Sequence, residues 1–341
     1  MRNHNYIHTS LTRITDFKEN LFDVIKISNS NWETGDYVVC RIIDPGSNQL
    51  SLELPSGRIR GVMGGELVIG ALGERFATLE ATGTWKKVGS NGNLHILTAA
   101  GLMGKLTSKS AFIPNMMEIK YLGHTLRNGE KLTMETFVKP VEPKKFNTPV
   151  VLLFGTSMSA GKTTSARIVT NLLKIAGLRV VGAKLSGAGR FKDILAIKDV
   201  GADVVLDFVD AGLPSTICPK EIFKKKMVYL KNAISQANAN VAVIEMGASP
   251  LEPYNGDLAI EAIKQHLKFS ILCASDPYAV FGLMKAYNLT PDIVTGIATN
   301  TLAGCELVEN LCNVRALNLI DQKTTPEFKK LLGKSLGIRL N

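Results

Sequence analysis

The chain has 341 residues, more than one ordinary domain needs, and its 45% apolar and 21% charged residues are typical of a soluble globular protein. The net charge of +10 is spread over both halves rather than gathered in one groove, so we expect no nucleic-acid partner. No apolar run approaches the ~20 residues that span a bilayer, and the N-terminal residues lack the apolar core of a signal peptide. The five cysteines form no CxxC pair. We therefore expect a cytoplasmic protein that makes no membrane contact.

Residues 1–146 are expected to form a β-rich N-terminal domain. Short apolar runs separated by Gly, Pro and Asn fill residues 36–139, a pattern typical of strands and turns and compatible with a small barrel. The clearest strand-length runs are Tyr37–Ile43, Leu50–Leu54, Glu66–Gly70 and Met117–Leu122. One helix is expected around residues 97–108.

Residues 147–341 are expected to form an α/β domain, after a polar segment at 141–149 whose two prolines indicate a linker. Continuous apolar runs alternate there with helix-length segments, which predicts a parallel sheet with helices on both faces. The predicted strands are 150–154, 179–185, 204–208, 241–246, 269–274 and 293–298. The predicted helices are 162–177, 219–238, 256–267 and 303–313. Ligands of such sheets bind beyond the carboxyl ends of the strands.

A phosphate-binding loop follows the first of these strands. Backbone N–H groups of a Gly-rich loop and the positive end of the next helix surround phosphate oxygens. Gly161 allows close backbone approach, Lys162 would neutralise the β- and γ-phosphates, and Thr163 offers a hydroxyl to Mg²⁺. The predicted ligands are therefore ATP and Mg²⁺. The loop comprises Gly155, Thr156, Ser157, Met158, Ser159, Ala160, Gly161, Lys162, Thr163 and Thr164.

The spacing within this loop is unusual. Five residues separate Gly155 from Gly161, where the common loop has four, and this spacing resembles that of dethiobiotin synthetase and related P-loop proteins. Division-site ATPases of the same group carry an extra lysine early in the loop. Thr156 and Ser157 stand there in this chain, which disfavours that subtype.

Two further polar residues are interpreted through the same resemblance. Lys184 ends the second predicted strand and would face the γ-phosphate and the substrate, although a solvated lysine at a strand end is the alternative. Asp193 stands where the synthetase places a metal-binding Asp, although Asp also favours a helix N-cap, and Asp207 is a rival for the metal.

Two later strand ends complete the predicted nucleotide site. Glu245 ends an apolar strand, where a carboxylate is seldom needed for packing, and it suits a Mg²⁺ ion that is bound mainly by phosphates. Asn300 ends a Gly-x-x-x-Asn segment, and a similar segment of the synthetase supplies an amide to the adenine edge. A turn-forming Asn is the alternative of equal weight.

Residues 150–320 also resemble an uncharacterised P-loop family related to a D-glutamate N-acetyltransferase-like protein. The shared features are a Gly-Thr-x-x-Ser-x-Gly-Lys loop, an Asp-Phe pair at 207–208, and a strand ending that runs from Ile244-Glu245 through Ser249 to Pro253. Candidate substrate contacts are Ser186, Arg190, Ser249 and Tyr254.

Two functions are compatible with these residues. In the first, an ATP-dependent ligase or transferase phosphorylates a small carboxylate, with Lys162 and Lys184 as the catalytic residues. In the second, the chain is a nucleotide-dependent switch or cofactor-delivery NTPase, and the N-terminal domain binds the partner. The absence of an Asn-Lys-x-Asp motif favours ATP over GTP. We expect a homo-oligomer in either case.

Overall fold

A computed structural model describes residues 5–46 and 51–340. The chain divides into two compact units that are not simple halves of the sequence. The first unit takes the residues up to Pro140 together with Ala188–Lys192 and Phe208–Cys218. The second takes Val141–Gly187, Asp193–Asp207 and the residues from Pro219 onward.

The first unit is built from twelve described strands. They are β1 Tyr6–His8, β2 Asp23–Ile25, β3 Tyr37–Asp44, β4 Ser51–Glu53, β5 Ile59–Gly61, β6 Leu67–Leu72, β7 Glu74–Phe76, β8 Ala81–Thr84, β9 Asn93–Thr98, β10 Leu102–Lys109, β11 Glu118–Arg127 and β12 Glu130–Lys131. Leu50, which begins one predicted strand, lies outside the described residues.

Five of these strands close into a small barrel. The pairings run β6–β3–β11–β9–β10, and a parallel pairing of β10 with β6 completes the ring. Alternate residues of β3, namely Val38, Cys40 and Ile42, are buried in one apolar cluster, as the two-residue period of a strand requires. A Cβ on Gly70 would lie 2.2 Å from Gly101 O, so only glycine at position 70 lets β6 approach the turn that leads into β10.

The predicted helix at 97–108 is wrong. The segment forms the end of β9, a turn, and most of β10, which pair antiparallel through Thr98 and Leu102. Gly101 in the turn has φ +92°, a left-handed backbone conformation that would interrupt a helix. Leu97, Leu102 and Met103 are buried in the first unit.

The second unit contains one six-stranded parallel sheet and seven α-helices among its described residues. The strands are β13 Val150–Gly155, β14 Val180–Ser186, β15 Val204–Asp207, β16 Val241–Met246, β17 Leu267–Cys273 and β18 Ile293–Thr295. The helices are α1 Lys162–Ile175, α2 Phe191–Lys198, α3 Lys220–Gln236, α4 Gly256–Ile263, α5 Pro277–Tyr287, α6 Leu302–Cys312 and α7 Thr325–Leu336. The first two residues of α2 are counted in the first unit.

The sheet order is β15–β14–β16–β13–β17–β18, and every pairing is parallel. Val151 and Leu153 of β13 pack with Val169 of α1 and Phe328 of α7 in one core, while α3 and α4 pack against β14. The expected α/β fold with a helix-flanked parallel sheet is therefore confirmed. In the described part of the chain, no helix has the length and apolar character needed to cross a bilayer.

Candidate functional site

The phosphate-binding loop is fastened to the neighbouring strand β17. Thr156 N donates to Cys273 O at 3.1 Å, and Ser275 N donates to Thr156 Oγ1 at 3.1 Å. A Cβ on Gly155 would lie 2.8 Å from Cys273 O, so a side chain at this position would force the two strand ends apart. The start of the loop between β13 and α1 is therefore held at the end of β17.

The far end of the loop depends on a second pair of glycines. Gly161 has φ +101°, and a Cβ there would lie 3.4 Å from Gly296 Cα. A Cβ on Gly296 would lie 2.3 Å from Ala160 O. Gly296 follows β18 and leads through one 3-10 turn to Asn300, which is exposed. The structure thus places the segment that carries Asn300 against the end of the loop, with Ser159 in the left-handed region at φ +66°.

Lys162 lies inside the loop that precedes it. Its side chain is buried, and Nζ donates to Ser157 O at 2.6 Å. Burial lowers the pKa of Lys162, and the carboxylate of Glu245 offsets only part of that effect. A buried ammonium that donates to a backbone carbonyl is well suited to neutralise a phosphate, because a phosphate would compensate its desolvation better than a carbonyl does.

Thr163 and Glu245 form the predicted cation position. Thr163 Oγ1 donates to Glu245 Oε1 at 3.1 Å, and the Glu245 side chain is buried. Among the described residues, Glu245 Oε2 has no hydrogen-bond partner. Burial, together with the neighbouring Asp193 carboxylate, raises the pKa of Glu245 to about 7. A hydroxyl and an under-coordinated carboxylate are oxygen ligands of the kind that Mg²⁺ takes beside phosphates, so these residues fit the ion.

Lys184 lies between acidic residues on three sides. Its register partners are Asp207 on β15 and Glu245 on β16, and its Nζ donates to Asp193 Oδ2 at 2.6 Å. Burial alone would lower the pKa of Lys184, but Asp193 and Glu245 outweigh burial and raise it. The charged ammonium is therefore retained in the site, and Asp193 is an ion-pair partner of this lysine.

Two glycines that the sequence analysis did not single out as site residues make room for Lys184. A Cβ on Gly247 would lie 2.5 Å from Lys184 Cε and 2.6 Å from Ser186 O. Gly187 has φ +124°, and a Cβ there would lie 3.2 Å from Gly247 Cα. The side chain of Lys184 therefore occupies space that side chains at Gly187 and Gly247 would need. The Lys-x-x-Gly and Glu-x-Gly spacings were the available sequence signals.

The four predicted substrate contacts differ in their surroundings. Ser186 is buried at the end of β14, and among the described residues its Oγ has no hydrogen-bond partner. Ser249 lies in the turn after β16, where its N–H donates to Glu252 Oε2 at 2.9 Å. Tyr254 is fully buried in the second unit. Arg190 belongs to the first unit, unlike the other three.

No family model matches the chain, and no curated protein matches it. It is similar to solved structures of chloroplast FtsY from Physcomitrella patens (13% identity, TM-score 0.37, 52% of this chain and 59% of that one) and of the signal recognition particle receptor FtsY from Elizabethkingia anophelis (16%, 0.36, 54% and 61%). It is also similar to the hydrogenase maturation factor HypB from Archaeoglobus fulgidus (13%, 0.37, 56% and 91%). The chain thus spans about six tenths of the two FtsY chains.

Proposed function

We propose that the protein binds Mg²⁺·ATP at the loop 155–164 and transfers the γ-phosphoryl group to a small carboxylate. The observation that carries the nucleotide site is the Thr163–Glu245 hydrogen bond beside the buried ammonium of Lys162. This arrangement joins a cation position, a phosphate-neutralising charge and a helix N-terminus in one place. Bound Mg²⁺ would be held by Thr163 and Glu245 and would offset the negative charge of the phosphates.

The second buried lysine supports a transfer reaction. Phosphoryl transfer depends on positioning and on stabilising the charge of the equatorial oxygens, with little covalent chemistry from the protein. Lys162 and Lys184 both interact electrostatically with Glu245, so the two ammonium groups have one acidic residue in common. Ser186 Oγ, which is buried on the same strand as Lys184, is the candidate donor to a substrate carboxylate.

A nucleotide-dependent switch is the second candidate. The observation that favours it is that β14 and β15, which carry Lys184 and Asp207, each lead directly into a segment of the first unit. A transferase would consume one ATP for each product formed. A switch would hydrolyse its nucleotide slowly, and the nucleotide state would change the affinity for a partner protein.

The test is a thermal-shift screen of ATP and GTP, each with Mg²⁺, crossed with a panel of small carboxylic acids. Ligands that bind only the native state raise its free energy of unfolding by mass action, by about 2.7 kcal/mol at a hundredfold excess over Kd. The unfolding midpoint rises with it. We expect Mg²⁺·ATP to raise the midpoint of the parent and Lys162→Ala to abolish the shift. Arg167→Ala, on the exposed side of α1, is the matched control and should keep it.

Each outcome of this screen assigns the site differently. An acid that adds to the ATP shift and is phosphorylated in stoichiometric amount identifies the transfer reaction. A shift with GTP alone would overturn the proposed preference for ATP. An equal ATP shift in the parent and in Lys162→Ala would show that the loop is not the nucleotide site.

A further inference from the structure

We infer that Glu53 is a positioning residue for the Lys184–Asp193 ion pair and acts through the first turn of α2. Only the turnover part of its test rests on the proposed function. Glu53 ends the short strand β4, and its side chain is fully buried. Its carboxylate accepts hydrogen bonds from Phe191 N and Lys192 N, both at 2.8 Å, and from the hydroxyl of Ser10. Asp193 is the next residue in the chain.

The two amides that Glu53 accepts belong to the first turn of α2. Such N–H groups have no acceptor within their own helix, and a carboxylate at this end also interacts favourably with the helix dipole. Charge-assisted hydrogen bonds of this kind are roughly twice as strong as neutral ones. Glu53 therefore fixes where α2 begins, and with it the position of Asp193 in the first turn.

The segment that precedes α2 is held at further points within the first unit. Gly189 N donates to Pro214 O at 3.0 Å, and Thr98 Oγ1 donates to Gly189 O at 3.2 Å. The guanidinium of Arg13 lies 4.6 Å from the ring centroid of Phe191, a favourable cation–π distance. A Cβ on Gly189 would lie 2.6 Å from Leu11 Cδ2, so the segment is closely packed.

These contacts explain how Lys184 and Asp193, nine positions apart in the chain, form an ion pair of fixed geometry. Lys184 is fixed by the sheet, and Asp193 follows directly after the fastened segment Ala188–Lys192. The 2.6 Å separation of Lys184 Nζ from Asp193 Oδ2 therefore depends on Glu53 as well as on the sheet. Glu53 then acts on the ion pair through the first turn of α2, which carries Asp193.

The test measures the reactivity of individual lysines in the free protein. Amines react with acetic anhydride only when deprotonated and reachable, so the buried and paired Lys184 should be labelled slowly. We expect Glu53→Gln to increase the labelling rate of Lys184 about tenfold, and Asp193→Asn to do the same. In the double variant the increases should not multiply, because Glu53 acts through Asp193. Labelling of Lys162 serves as the internal reference and should stay constant.

Asp36→Asn is the matched control. Asp36 is also a fully buried carboxylate of the first unit, but it accepts from Glu33 N and from Lys131 at another place. The Asp36→Asn substitution should leave the labelling of Lys184 unchanged even if it lowers the stability of the first unit. If Glu53→Gln does not fold, Ser10→Ala removes one donor to the same carboxylate, and we expect it to raise Lys184 labelling by a smaller factor.

Two results would overturn the positioning role. One is a Lys184 labelling rate that Glu53→Gln leaves at the parent value, and the other is an equal increase at Lys184 and Lys162. Turnover gives an independent readout: Glu53→Gln should lower kcat while KM for the nucleotide stays within about twofold. Failure of the parent to bind nucleotide would refute the proposed function and leave the labelling result valid.

Discussion

At the scale of single residues, Glu245 gives the site a distinct pH dependence. Burial raises the pKa of Glu245 from its ordinary 4.5 to about 7, so the native state holds this proton more tightly than the unfolded chain does. The contribution to stability is thus present below pH 4.5, falls as the pH rises toward 7, and stays low above that. The free energy of unfolding lost over this range is roughly 3 kcal/mol.

Glu245→Gln should remove this dependence, because an amide needs no proton to stay neutral. We expect the unfolding midpoint of the variant, relative to the parent, to rise steadily between pH 5 and pH 7.5 in the absence of Mg²⁺. Urea unfolding at several pH values measures the difference, in which groups that are unaffected by the substitution cancel. A constant difference across this range would show that Glu245 is already ionised at pH 5.

Gly247 shows how a residue with no side chain can control a charged one. A Cβ there would overlap Lys184 Cε and Ser186 O, and the second of these is a backbone atom that cannot move aside cheaply. We expect Gly247→Ala to lower the free energy of unfolding by about 1–3 kcal/mol and to displace Lys184. Urea unfolding and ATP turnover measure the two effects.

Gly282→Ala is the control for that substitution. Gly282 lies within helix α5, and a Cβ built on it meets nothing within 4 Å. Alanine should therefore stabilise the protein by about 0.5–1 kcal/mol, since it restricts the unfolded chain. Equal effects of the two substitutions would mean that Lys184 does not need the space beside Gly247.

At the scale of elements, the sequence predicted the parallel sheet well because its strands are continuous apolar runs. The predicted strand 241–246 matches β16, whereas the predicted strand 293–298 is too long. β18 stops at Thr295 because Gly296 has φ +96° and turns the chain into a 3-10 helix. Gly296, in the middle of the predicted strand, was the sequence feature that argued against a strand reaching residue 298.

Three helices, α2, α5 and α7, were not predicted, although two of them begin with clear sequence signals. Asp276 caps α5 by accepting from Ala279 N, and Pro277 follows it in the first turn, as Pro326 follows Thr325 in α7. Helix α2 is short, and its first amides are capped by Glu53, which lies 138 residues away in the chain. No local pattern could have indicated that contact.

The same distinction applies to the candidate site. Lys162, Lys184 and Glu245 could be grouped from sequence, because parallel strands bring their carboxyl ends to one edge of the sheet. The partner of Lys184 could not be chosen, since Asp193 lies shortly after β14 and Asp207 ends β15. The choice depends on where α2 begins, and therefore on Glu53, whose carboxylate accepts from the first amides of that helix.

At the scale of the whole molecule, the first unit is assembled from three separate stretches of chain. Its last two stretches, Ala188–Lys192 and Phe208–Cys218, pair with each other through Ala188 and Ser215. Arg13 forms an ion pair with Asp210 at 3.0 Å, and Phe208 and Val209 are fully buried. The two later stretches of this unit thus lie in the sequence between strands of the second unit.

A fragment that begins at Val141 should therefore be incomplete. It would retain every strand of the second unit, yet Phe208, Val209 and Leu213, which are buried residues of the first unit, would be left without the first stretch of that unit. At about 25 cal/mol per Å² of apolar surface, exposing three such side chains costs several kcal/mol. We expect the fragment to have a lower unfolding midpoint than the full chain, to bind a hydrophobic dye, and to bind Mg²⁺·ATP more weakly.

Supplying residues 1–140 as a second chain provides the control. If the two later stretches complete the first unit, co-expression should restore both the midpoint and the nucleotide affinity, since the missing partners are returned without a covalent connection. Glu53→Gln in the supplied chain should then restore the midpoint less fully than the parent segment does. A fragment that alone matches the full chain in midpoint and in affinity would show that the nucleotide site is independent of the first unit.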